Sequence, residues 1–180
     1  MNTAHRLSAA RVPILLNAAL FQLGWWACIL LAANDRTVLA SLALAVIVSI
    51  HVLTHAAPVR ALRLALACLA IGALIEPILV ALHVIAYRPS GVTWGQVPLW
   101  MIGLWALLST TLGVSLRWLS GQPLLGFAFG AAGGALAYGA GARLGALMLP
   151  SAWSLWVIAV AWGAALPVLV RLAHLGEGGR

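Results

Sequence analysis

Residues 64–86 read LALACLAIGALIEPILVALHVIA, a run in which Glu76 is the only acidic or basic side chain apart from His83. At 1.5 Å per residue a helix of that length covers about 35 Å, enough to cross the roughly 30 Å hydrocarbon core of a bilayer. A buried strand would end after a few residues, and an amphipathic surface helix would show a polar stripe. Neither pattern is present, so the run reads as a membrane span.

Similar runs fill the rest of the chain. Short polar breaks at Asn34–Arg36, His55–Arg63, Tyr87–Gly91, Arg117–Pro123 and Leu149–Ser151 separate predicted spans at about 12–33, 38–56, 62–86, 95–117, 124–148 and 152–171. Lipid offers backbone groups no partner, so each span must be helical, and the alternating ten-residue strands of a barrel are absent. The predicted fold is all-α: a polytopic transmembrane bundle of six helices forming a single domain over residues 1–180. A hydrophobic share of 64% and a charged share of 7% leave nothing for a water-facing domain.

The net charge of +7 does not point to nucleic acid. A nucleic-acid surface clusters its basic residues on a polar face, whereas here the arginines stand singly at the ends of apolar runs. They read instead as topology signals. Arg6, Arg11, Arg60, Arg63, Arg117, Arg171 and Arg180 fall on one side of a six-span chain, and Arg36 and Arg88 on the other. By the positive-inside rule the first side is cytoplasmic, with both termini there, as in a multi-pass protein of a bacterial inner membrane. Trp94, Trp100, Trp153 and Trp156 then sit towards the outer interface and Trp118 at the inner one, while Trp25, Trp26, Trp105 and Trp162 lie deeper.

The fifth span carries Gly126, Gly130 and Gly134 at four-residue spacing, and Gly133, Ala137, Gly141 and Gly145 along a neighbouring stripe. Small residues at this spacing let helices approach closely where lipid removes the hydrophobic drive. Gly126, Gly130, Gly134, Gly141 and Gly145 are therefore expected to pack helices and to make helix five central. A homodimer face or a groove for a lipid chain are the functional alternatives.

Charges inside a span are costly, which makes Glu76 and Arg143 site candidates. Arg143 is expected to bend inward towards Glu76, giving an ion pair or a water-linked pair. His83, seven residues beyond Glu76 on nearly the same helical face, is its candidate partner in acid–base chemistry. Pro77 frees a carbonyl and is expected to bend the helix. Glu76, Arg143, His83, Gln22, Trp25, Trp26, Trp100 and Tyr138 are the predicted lining of a ligand-binding cavity in the outer half of the bundle, with no catalytic residue assigned.

Other features read as structural. Cys28 and Cys68 lie inside apolar runs without a CxxC pair. His51 and His55 share a helical face but lack a third metal ligand, so no metal or other cofactor is expected. Ser109, Thr110, Thr111 and Ser115 lack any nucleophile motif and are expected to bond helix backbone. Asn17 and Gln22 suit interhelical hydrogen bonds.

Phe21-Gln22-Leu23-Gly24-Trp25, Pro98-Leu99-Trp100, Leu104-Trp105, Thr110-Thr111-Leu112, Gly134 to Tyr138 with Ala140-Gly141, and Arg143-Leu144-Gly145 together resemble domain of unknown function family 2878 over nearly the whole chain. The resemblance implies a bacterial inner-membrane protein without an assigned activity. It also implies a setting in lipid metabolism or envelope stress, because similar proteins are often encoded beside enzymes that modify fatty acyl chains. The expected function is to bind or move a lipid or amphipathic small molecule, with membrane lipids, a homodimer mate or a lipid-modifying enzyme as partners. An intramembrane enzyme or accessory subunit of acyl-chain modification is the alternative.

Overall fold

The computed structural model describes residues 3–88 and 91–175, with side chains from Pro13 onward. Arg180 and the side chains of Arg6 and Arg11, three of the seven arginines counted on one side, lie outside the described residues. The described residues form six α-helices: α1 (Thr3–Ala33), α2 (Thr37–Thr54), α3 (Pro58–Ala81), α4 (Leu99–Leu112), α5 (Pro123–Arg143) and α6 (Ser154–Leu175). Two-residue strands β1 (Thr93–Trp94) and β2 (Val97–Pro98) pair antiparallel just ahead of α4. All but α4 are long and apolar enough to cross a membrane, the architecture of a multi-pass membrane protein. Apolar side chains cover the outside as well as the core: Leu53, Leu124, Leu136 and Trp156 are each more than 70% exposed. A soluble monomer could not carry such a surface.

The helix predicted over 95–117 is shorter than expected. At about 21 Å, α4 cannot span a bilayer alone, and the chain completes the passage through turns at 113–116 and a 3₁₀ turn at Arg117–Leu119. Eleven of the fourteen α4 residues are buried, and of the turn residues that follow Leu119 is buried as well. The hydroxyls of Ser109, Thr110 and Thr111 each donate to the carbonyl three residues earlier. On α1, Asn17 Nδ2 donates to the Thr110 carbonyl at 3.0 Å, and Asn17 Oδ1 accepts from the Ser115 amide at 3.3 Å. One amide side chain thus ties α1 to the frayed end of α4.

The centre of the bundle is α4, which packs on α1, α2 and α3 and reaches α6, whereas α5 packs chiefly on α6. The expectation of a central helix five is corrected, because its first glycine stripe is spent on a single neighbour. A Cβ on Gly130 would collide with the Trp162 carbonyl, one on Gly134 with the Trp162 ring, and one on Gly126 would press on Pro167 at 3.3 Å. The second stripe behaves differently. Gly133 has nothing within 4 Å of its Cβ position, and Gly141 makes only ordinary contacts with Leu147 and Ile29.

Helices α1, α3 and α5 end alike. The residue after each cap, Asp35, His83 or Gly145, adopts a left-handed φ of 58°, 54° or 86°. Its N–H bonds the third carbonyl back and the next N–H the fifth, the Schellman arrangement. Beyond two of these caps, Ala86 and Met148 exchange N–H···O bonds of 3.0 and 2.8 Å. These extended residues explain why spans predicted to 86 and 148 end as helices at Ala81 and Arg143: hydropathy continues through Val84–Ile85 and Ala146–Leu147, which are buried without being helical.

The spacing exposes an internal repeat. Gly72, Glu76, His83 and Ala86 each have a counterpart sixty-two positions later in Gly134, Tyr138, Gly145 and Met148. Counterparts touch one another: Ala86 bridges Met148, Glu76 bonds Tyr138, and Trp105, against which Gly72 packs, stacks at 4.2 Å on Trp162, against which Gly134 packs. Contacts between equivalent residues are what a local two-fold axis produces. The Ala86–Met148 and Glu76–Tyr138 contacts thus join matching positions of the α3–α4 and α5–α6 hairpins. The β1–β2 loop is the extra length in the first of them. At matching distances before its own cap, α1 carries Gly24 and the fully buried Cys28.

Candidate functional site

Glu76 is completely buried. An ionised carboxylate is acceptor-only, with two oxygens to satisfy, and three aromatic donors converge on this one. The Trp105 indole N–H donates to Oε1 at 2.8 Å, the Tyr138 hydroxyl also donates to Oε1, and the Tyr87 hydroxyl donates to Oε2 at 3.0 Å. They come from α4, α5 and the segment after α3, so the carboxyl group pins three parts of the fold. Burial, and then the neighbouring Glu76, push the Tyr87 phenol above its ordinary range, which keeps it protonated as a donor. Its ring also packs edge-on against Trp100, 5.9 Å away.

Arg143 takes no part in this network. It is exposed at the last turn of α5, and the expected ion pair with Glu76 is corrected to a carboxyl group held by neutral donors. The reason is helical geometry. Five residues separate Arg143 from Tyr138, which rotates it about 140° away from the face that meets Glu76. His83 is likewise exposed, serving as the left-handed residue that ends α3. The acid–base pair with Glu76 is not assembled.

A cavity of about 590 Å³ lies beside the network. Its walls come from α1 (Gln22, Trp25, Trp26) and α5 (Gly133, Ala137, Tyr138), and it is backed by Trp105 of α4 and Trp162 of α6. Partly exposed Trp26, Phe129 and Leu136 at its edge open it towards the lipid-facing surface. Tyr138 and Trp105 both line it and both hold Glu76, so the carboxyl group stands one layer behind the wall. Of the predicted lining residues, Gln22, Trp25, Trp26 and Tyr138 face the cavity. Trp100 is instead buried in the core against Tyr87, while His83 and Arg143 lie elsewhere.

The cavity reaches from Trp118 and Phe129 near one end of the bundle to Leu147 near the other, so the expectation of a cavity confined to the outer half is corrected. The exposed Gln22 amide is among its lining groups, whereas the Trp162 indole nitrogen is buried out of reach of the cavity. Sequence reasoning missed the roles of Tyr87 and Trp105 as donors. The available signal was that a lone acid in a span must find donors on neighbouring helices, with aromatic N–H and O–H groups the remaining candidates once arginine is placed elsewhere.

The His51 and His55 rings lie 5.5 Å apart with their planes tilted by 57°, and the His55 Nδ1 accepts the Ala57 amide N–H at 3.0 Å. His55 therefore organises the turn into α3. No group of three or more His, Cys, Asp or Glu residues that could hold a metal ion is found among the described residues.

Residues 14–168 match the model of a family described as a protein of unknown function, DUF2878. The chain belongs to this family. The resemblance carried by the α1, α4 and α5 motifs is thereby established, and within this DUF2878 chain those motifs supply three of the four helices around the cavity. No curated protein and no solved structure matches the chain.

Proposed function

We propose that this protein binds, or passes along its length, a lipid or another amphipathic small molecule in the groove between α1 and α5. The observation that carries the reading is the groove itself. It is overwhelmingly apolar, opens towards the hydrocarbon, and is backed by the Trp105–Trp162 stack. The second glycine stripe supports the same reading, because Gly133 leaves space on the groove wall that any side chain would fill. The arginine asymmetry favours an orientation with both termini in the cytoplasm of a bacterial inner membrane.

The test is native mass spectrometry of protein purified in mild detergent, comparing the natural chain with Gly133→Leu and Ala137→Phe, which fill the groove. The expected result is a lipid-sized adduct on the natural chain that both variants lose while their unfolding temperatures hold. Adducts retained at equal occupancy in stable variants would overturn the assignment.

A further inference from the structure

Independently of the groove, we infer that a second cavity, at the end of the bundle where α5 begins and α6 ends, holds the phosphate of an anionic phospholipid, with Arg171 as the cation that receives it. Residues 119–123 form one wall and α6 from Pro167 to Leu175 the other, enclosing about 520 Å³, and no lining residue is shared with the groove. That volume falls within the roughly 300–1,000 Å³ of small-molecule sites.

The depth is that of a headgroup. Arg171 stands seventeen positions beyond Ser154, the first residue of α6, which is about 26 Å along the helix axis. Exposed Trp153 and Trp156 mark one boundary of the hydrocarbon, and exposed Trp118 lies near the other. Arg171 therefore reaches the level at which a bilayer core of about 30 Å gives way to phosphate.

Arg171 is uncommitted among the described residues. It lines the cavity and makes no hydrogen bond or ion pair with them. Its neighbours are engaged: Arg60 Nη2 donates to the Ala173 carbonyl at 2.9 Å, and the His174 Nδ1–H donates to the Val170 carbonyl at 2.8 Å. The chain has three acids. Asp35 follows α1 at the far end of the bundle, 3.9 Å from Arg88, and Glu76 is buried among its donors; Glu177 lies outside the described residues. A guanidinium fork suits two phosphate oxygens, and basic pockets between membrane helices on the cytoplasmic side receive anionic headgroups. The exposed Ser120 hydroxyl on the facing wall offers a further donor.

The cavity also has an apolar side. Val168 and Leu175 line it and are 52% and 66% exposed, so the wall below the polar mouth continues into the lipid-facing surface. An acyl chain can follow that wall, which favours a phospholipid over free phosphate.

The test titrates the protein in dodecyl maltoside with dioleoyl-phosphatidylglycerol, dioleoyl-phosphatidylcholine or inorganic phosphate and reads adducts by native mass spectrometry. Phosphatidylglycerol is expected to be retained at least fivefold better than phosphatidylcholine and not to be displaced by excess phosphate. Arg171→Gln should lower its retention about tenfold at an unchanged unfolding temperature, because the side chain is exposed, and Arg171→Lys should restore part of it. Arg63→Gln, exposed at the same end, Glu177→Gln and the groove variant Gly133→Leu should each leave retention within twofold. Unchanged retention in Arg171→Gln, an equal loss in Arg63→Gln, a gain in Glu177→Gln or displacement by phosphate would each overturn the inference and leave the groove reading standing. Loss on Gly133→Leu with none on Arg171→Gln would place the anionic lipid in the groove and overturn it likewise.

Discussion

Replacing Glu76 by alanine and by glutamine separates two explanations of a buried acid, a charge that needs a cation and an acceptor that needs donors. In Glu76→Ala the Trp105 N–H and the Tyr138 and Tyr87 hydroxyls all lose their acceptor. The first two are buried, and a buried unsatisfied donor costs roughly 1–3 kcal/mol, so with the void left by the side chain the loss should reach about 3–6 kcal/mol. Glutamine keeps one oxygen where Trp105 and Tyr138 converge and turns its amide towards Tyr87, whose hydroxyl can accept as well as donate. Its cost should be about 1 kcal/mol. Tyr138→Phe and Trp105→Phe each remove one donor from an otherwise satisfied acceptor and should fall between the two. Arg143→Ala should leave stability unchanged, because its side chain is exposed and away from the carboxyl group.

The assay is unfolding in dodecyl maltoside micelles, followed by tryptophan fluorescence and by the reactivity of Cys28 and Cys68, both buried in the folded chain. The ranking matters more than the absolute sizes, since interhelical hydrogen bonds in membranes average below 1 kcal/mol in double-mutant cycles. Glu76→Gln as damaging as Glu76→Ala, or Arg143→Ala as damaging as either, would refute the reasoning and restore an ion pair.

Further expectations concern the helix contacts and caps. Gly130→Ala sets a methyl group into the Trp162 carbonyl and within 2.9 Å of the Leu166 Cβ; it should lower stability by about 1–3 kcal/mol, whereas Gly133→Ala in open space should be close to neutral in the same unfolding assay. His83 holds a left-handed backbone that its counterpart Gly145 adopts without a side chain. His83→Gly should therefore raise stability by up to about 1 kcal/mol and Gly145→Ala should lower it, and a fall on His83→Gly would show that the imidazole contributes more than the cap geometry.

Residue type and run length were enough to define the class of molecule and most of its elements. Runs of about twenty apolar residues fix where hydrocarbon must surround helices, and hence six helices with breaks close to those observed, because the backbone's need for partners in lipid has one local solution. The importance of Glu76 was legible for the same reason: a lone acid in such a run has to be accommodated. Family membership was also legible, in motifs that now prove to sit on the helices around the groove.

What accommodates Glu76 was not legible. Arg143 is the obvious partner by charge, but side-chain direction on α5 sends it outwards while Tyr138 turns inwards, and that direction depends on how α5 seats against α6 through Gly130 and Gly134. The repeat was hidden because its two copies share only backbone features, a glycine, a buried side chain and a left-handed cap, while their chemistry diverged to Glu76 in one and Tyr138 in the other. The sequence alone determined that this chain lives in hydrocarbon and must satisfy one buried acid, since both follow from local composition. Only the tertiary structure decided that neutral aromatic donors satisfy it beside a groove, since that depends on which faces of distant helices meet.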